Sequence, residues 1–280
     1  MQGKGPEPMR LMSAAVAILL FPCAARWGAA AEVPAPEGGA APAESAPAPE
    51  KPWSVTLDST FNGKYVWRGV NVVDDPVWQP SATFAWKGLS LNVWGNLDLT
   101  DVNGDRRNFT EVDYTLDYSH SVGKATFSVG TIRYVFPHTG FPTTTEVYAG
   151  VTLDAPLSPT FKVYKDIDES DGVYANFALS HTVPGLIRFS ERASMSLALS
   201  AAVGWGDHKN NNFYYAGTDA SGLADLTCSV GLPIAIGDHI TIKPALNCSR
   251  LLDPDARRNM KAAGVDPTNH WLGLSFTFAF

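Results

Sequence analysis

Over residues 109–119, Val112, Tyr114, Leu116 and Tyr118 fall on one parity, and Glu111, Asp113, Thr115 and Asp117 on the other. A period of two marks a β-strand, because successive side chains point to opposite faces. The same alternation sets Val147, Ala149, Val151 and Leu153 against Glu146, Tyr148, Thr152 and Asp154. It also sets Ile240, Ile242 and Leu246 against His239, Thr241, Lys243 and Asn247. Repeated along the chain, it predicts strands over 53–70, 79–86, 89–99, 109–119, 124–135, 144–154, 159–167, 172–182, 192–205, 222–233, 238–249 and 270–280. One face of each is apolar and the other polar, and no segment after residue 31 is a candidate helical span.

The connections alternate between short and long. Short ones fall at Lys87-Gly88, 120–123, 155–158 and Gly237-Asp238; long ones fall at 71–78, 100–108, 136–143, 206–221 and 250–269. That is the layout of an all-β, up-and-down antiparallel transmembrane barrel, with short periplasmic turns, longer outer loops and an even strand number. The parse has twelve strands. Two connections break the rule, 168–171 being short for an outer loop and 183–191 long for a periplasmic turn, so ten to fourteen strands fit.

Both ends of the sequence agree with export to such a membrane. Lys4 and Arg10 precede an apolar stretch from Leu11 to Ala25, and Ala29-Ala30-Ala31 follows, the plan of a secretory signal peptide over 1–31. Residues 32–52 are almost all Ala, Pro, Glu and Gly and read as a semi-stiff periplasmic linker. The barrel is then expected over 53–280. At the carboxy-terminal end Leu272, Leu274, Phe276, Phe278 and Phe280 share one parity. This resembles the terminal-strand signal of outer-membrane barrels. The resemblance implies that Phe276, Phe278 and Phe280 are read by the barrel assembly machinery.

Removing residues 1–31 takes three basic and one acidic residue from totals of 21 and 28, leaving a formal charge of −9. An acidic chain argues against a nucleic-acid partner; the expected partners are outer-membrane lipid and small solutes, and the expected location is the outer membrane of a diderm bacterium. Parity assigns Asp58, Asp98, Glu111, Asp113, Asp117, Glu146, Asp154, Asp166 and Asp225 to the lumen, with Lys64, Arg68, Lys162, Arg192 and Lys243. Nine acids against five bases lean a pore toward cations, unless the groups pair across the lumen and fill it. Inward Trp94, Tyr148, Tyr164 and Tyr174 would narrow it, while Tyr65, Trp67, Trp205 and Trp271 are expected in the outer aromatic girdle. Arg133 shares parity with Phe127 and Val129, which puts it either beyond the apolar band or after a bulge.

The element Tyr65-Val66-Trp67-Arg68-Gly69-Val70, followed by Leu91-Asn92-Val93-Trp94-Gly95-Asn96, resembles the TorF-like porin family of outer-membrane proteins. The resemblance covers about the first fifty barrel residues and the terminal strand, and implies a channel with no catalytic residues to transfer. On this reading Tyr65 and Trp67 face lipid, Arg68 points inward near the outer mouth, and Gly69 lets the chain bend. Arg68 then either sets a constriction or anchors a loop against an inward carboxylate.

Cys228 and Cys248 lie on consecutive strands, nearly equidistant from the turn, and form either a cross-strand disulfide or two small lipid-facing residues. No His/Cys cluster has metal-ligand spacing, no cofactor motif is present, and no motif encloses the six histidines. The expectation is a porin-like channel for passive diffusion of small hydrophilic solutes, not an enzyme. A plugged structural or adhesive barrel, or an outer-membrane lipid hydrolase, are the other readings.

Overall fold

The computed structural model describes residues 52–104 and 107–280. The expected leader over 1–31, and the linker except Pro52, lie outside the described residues. The strands are β1 (Trp53–Asn62), β2 (Tyr65–Trp67), β3 (Val70–Val73), β4 (Val77–Trp86), β5 (Leu89–Asp98), β6 (Phe109–Val122), β7 (Ala125–Val135) and β8 (Thr144–Leu153). They continue with β9 (Thr160–Asp166), β10 (Val173–Ser190), β11 (Ala193–Gly206), β12 (Gly222–Gly231), β13 (Ile234–Ile236), β14 (Ile240–Leu251) and β15 (Thr268–Ala279). Two short helices, α1 (His208–Tyr214) and α2 (Pro254–Ala262), lie in the loops before β12 and β15.

Every pairing is antiparallel, and the sheet closes on itself through β10 with β11 and β1 with β15, where Leu57 lies opposite Phe278. β12 and β13 are one wall strand, since both pair with β11 on one side and β14 on the other. The break falls at Leu232-Pro233, where proline lacks the N–H that a ladder needs. The wall is therefore a closed barrel of twelve strands. A closed barrel leaves no open edge and pairs its backbone groups within the wall, which lets strands cross lipid.

Facing follows parity. Tyr114, Leu116, Tyr118, Phe127, Val129 and Leu246 are outward and exposed, at 46–56% of full accessibility, where a soluble protein would bury such residues. The β6–β7–β8 register runs without a shift, so no bulge intervenes and Arg133 is outward by continuous parity, two residues from the end of β7. The long 183–191 connection is mostly strand. β10 continues to Ser190 with irregularities between Val183 and Ile187 and between Arg188 and Ser190, which leaves a turn at Glu191-Arg192.

The expected strand 53–70 is corrected. β1 stops at Asn62, and residues 65–73 form a separate two-stranded sheet inside the barrel. Trp67 pairs with Val70 across a two-residue turn in which Arg68 and Gly69 have φ of 44° and 84°. Two successive positive φ values define the tight hairpin turn whose twist suits antiparallel strands. The outer end is covered by the two helices. Asp207 caps α1 by accepting from Asn210 N, and Asp253 caps α2 by accepting from Asp255 N and Ala256 N. Asn259 Nδ2 donates to Thr218 Oγ1 at 3.1 Å and ties the two loops together.

Candidate functional site

The hairpin crosses the lumen from wall to wall. At its tip Arg68 donates from Nη1 and Nη2 to the two carboxylate oxygens of Glu146 on β8, both at 2.8 Å. Tyr134 OH adds a third bond to Glu146 Oε2 at 2.8 Å. The guanidinium carbon lies 4.1 Å from the ring centre of Tyr174, 4.3 Å from Trp67 and 5.0 Å from Tyr164. A buried arginine needs such a planar fork partner and aromatic faces to offset lost hydration. On the opposite side, Gly69 is packed so tightly that a Cβ would lie 2.6 Å from Asp225 Cβ and 2.6 Å from Leu251 Cδ2. Tyr215 OH, just beyond α1, donates to Arg68 O at 3.0 Å.

Aromatic contacts complete the plug. Tyr65 stacks at a tilt on Trp94 with centroids 5.6 Å apart, and Trp67 meets Tyr214 edge-on at 5.0 Å. Tyr65 and Trp67 are each 1% exposed. Their expected place in the lipid-facing girdle is therefore corrected: the alternation continued, but the chain had already turned inward at Gly63. Trp271 is likewise inward, on the cavity wall.

Below the hairpin lies a cavity of 230 Å³, roofed by Val66 and Arg68. It extends toward the short-turn end past Asp58 and Lys243. Most of its lining comes from β1, β4 and β10–β15, and amide and hydroxyl side chains, including Asn62, Gln79, Asn176 and Ser229, alternate there with small apolar and a few charged residues. A relay runs from Asn62 Nδ2 to Gln79 Oε1 at 2.8 Å, from Gln79 Nε2 to Asn96 Oδ1 at 3.0 Å, and from Asn96 Nδ2 to Asp98 Oδ1 at 2.9 Å.

The acids expected to line a pore are distributed otherwise. Glu111, Asp113, Glu146 and Asp98 are inward but 3% exposed or less; the first three lie beside the hairpin and Asp98 bonds to Asn96, Asn103 and Thr110. Asp117 is inward and accepts from Tyr148 OH, and Lys162 lies over the Tyr148 ring at 5.1 Å. Asp166 is buried and accepts from Thr144 Oγ1, while Asp225 accepts from Tyr174 OH at 2.9 Å. Asp58 and Lys243 face the cavity. Three assignments are corrected. Asp154 is exposed in the β8–β9 turn and Arg192 in the β10–β11 turn, each just past a strand end. Lys64 follows β1 at the outer end and pairs with Asp74, a contact that holds the Asp74 carboxyl below its usual range.

At the outer rim Lys165 of β9 and Lys209 of α1 both pair with Asp171. Their hydrogen bonds and charges hold the Asp171 carboxyl at about 2, and the same contact pushes the Lys209 ammonium up. Phe278 and Phe280 are exposed on the outward face and Phe276 is partly so. Cys228 lies opposite Cys248 in the β12–β14 register, and both are free thiols.

No protein-family model matches the sequence, so the likeness to TorF-like porins has no family-level support, and no curated protein matches it. Solved structures similar to it include the NanC porin, at 10% identity, covering 80% of this chain and 98% of that one, with a TM-score of 0.47. The COG4313 outer membrane channel from Pseudomonas putida F1 is similar at 10% identity over 86% and 100% of the two chains, TM-score 0.43. LpxR from Salmonella typhimurium is similar at 11% identity over 80% and 99%, TM-score 0.46.

Proposed function

We propose that the chain is an outer-membrane channel for small hydrophilic solutes whose outer half is held shut by the β2–β3 hairpin. The carrying observation is a cavity edged by amides, hydroxyls and four charged side chains inside an apolar-belted closed barrel, with a roof made by a loop and not by a wall strand. A roof held by side-chain contacts can leave while the barrel ladders stay intact. Displacement would uncover Glu111 and Asp113, so the open state favours cations and the closed state conducts little. The outward belt takes lipid, the leader over 1–31 directs export to the outer membrane, and the terminal strand with Phe276, Phe278 and Phe280 serves the assembly machinery. One observation favours a permanently plugged barrel instead, the close seat of Gly69 against β12 and β14.

The test is single-channel conductance of refolded residues 32–280 in a planar bilayer, with reversal potential under a salt gradient. The expected result is rare discrete steps, made frequent by the double variant Arg68→Ala/Glu146→Ala, with reversal shifted toward cations. A folded, heat-modifiable barrel that stays silent in both forms would establish the permanent plug.

A further inference from the structure

Resting on the channel reading, we propose that the cavity beneath the hairpin is a binding site for an uncharged, polyhydroxylated solute of single-sugar size. The charged residues of the lining are two acids, Asp58 and Asp225, and two bases, Arg68 and Lys243, so its formal charges balance. The site therefore has no surplus of either sign with which to select an ion.

Among the described residues, none bonds to the side chains of Asn176, Ser180, Ser200, Ser229 or Asn247, all of which line the cavity. Hydroxyl and amide groups both donate and accept, as the hydroxyls of a polyol do. Arg68 Nε is a buried donor with no partner on the same lining, although the guanidinium's other two nitrogens are satisfied. A neutral oxygen acceptor suits it, because Glu146 already matches the charge. Trp94 and Trp271 add flat apolar surface for the C–H face of a ring. The volume sets the size: 230 Å³ holds roughly eight waters at about 30 Å³ each. It lies below the ~300–1,000 Å³ of drug-sized pockets.

The experiment is titration of the folded barrel in detergent with D-glucose, lysine hydrochloride and potassium glutamate, read by tryptophan fluorescence and calorimetry. Liposome swelling is measured with the same three solutes. Saturable binding of glucose alone is expected, weakened about tenfold or more, on the scale of one lost buried hydrogen bond, in Asn176→Ala and in Asn247→Ala. Heat-modifiability checks that both variants fold. Glucose binding by the unmodified barrel, with no swelling even in the Arg68→Ala/Glu146→Ala variant that frees the hairpin, keeps the site and sinks the channel reading. Swelling without saturable glucose binding, or equal binding of the charged solutes, overturns the site and leaves the channel standing.

Discussion

Glu111, Asp113, Glu146 and Asp166 sit on the β5–β9 side of the lumen, buried against the hairpin and α1, while Asn176, Ser200, Ser229 and Asn247 sit across from them around open space. The first wall carries most of the buried acids and the second carries the room. Carboxylates removed from water must find partners, since an unpaired buried charge costs several kcal/mol. Glu146 takes Arg68 and Tyr134, and Asp166 takes Thr144 and Tyr214, so the acidic wall holds both the hairpin and α1. Neutral amides and hydroxyls stay comfortable beside water, so the second wall can border a solvated space. Counting inward charges around the whole barrel therefore says more about what is clamped than about what passes.

The strongest way to break this contrast is Glu146→Ala. It leaves the Arg68 guanidinium buried beside three aromatic rings without its carboxylate, and removing one partner of a buried pair costs roughly 3–5 kcal/mol. Trypsin should then cut after Arg68, which is 5% exposed in the folded barrel, and urea unfolding should shift to lower concentration. The double variant Arg68→Ala/Glu146→Ala should recover much of the urea shift, because no lone charge remains. If the single variant stays protected, the acidic wall is not what seats the hairpin.

Gly69→Ala attacks the other side of the same bridge. The added methyl meets Asp225 and Leu251 at 2.6 Å, in a left-handed conformation that costs a non-glycine residue ~1–3 kcal/mol. The expected protease sensitivity at Arg68 lies between wild type and Glu146→Ala. An unchanged Gly69→Ala would mean that the tip does not rest on β12 and β14.

How far the sequence could be read follows from the same physics. Lipid and lumen differ in polarity on every strand, so parity gave the facing of Tyr114 and Glu111, Val147 and Glu146, and twelve wall strands. The hairpin escaped because Tyr65-Val66-Trp67 alternates identically whether its rings meet lipid or other rings. Apolar surroundings look alike from the sequence. Arg68-Gly69 between Trp67 and Val70 is the available signal, a two-residue turn with glycine second, although the same pair also suits a bend into an outer loop. Asp154 and Arg192 were misplaced for a smaller reason, since parity has no meaning one residue past a strand end. The cavity and its neutral lining needed the fold, because which inward residues face space depends on where one loop lies.

The smallest expected effect concerns Asp171, where the two walls meet at the rim: Lys165 comes from β9 beside the acidic wall, and Lys209 from α1 above the neutral one. Asp171 has its carboxyl held at about 2, below the unfolded value near 3.9. A depressed acid contributes stability that is fully present above the unfolded value and lost as pH falls through the folded one. Hydrogen exchange in α1, corrected for intrinsic rates, should therefore stay level from pH 7 to pH 5 and quicken only as pH drops from about 4 toward about 2. Asp171→Asn should show the quickened exchange already at pH 7, though slightly, because exposed pairs are screened by water and salt. Loosening of α1 between pH 7 and pH 5 in the unmodified chain would instead assign the helix's hold to another titrating group. The two walls would then be joined at the rim by something other than this triad.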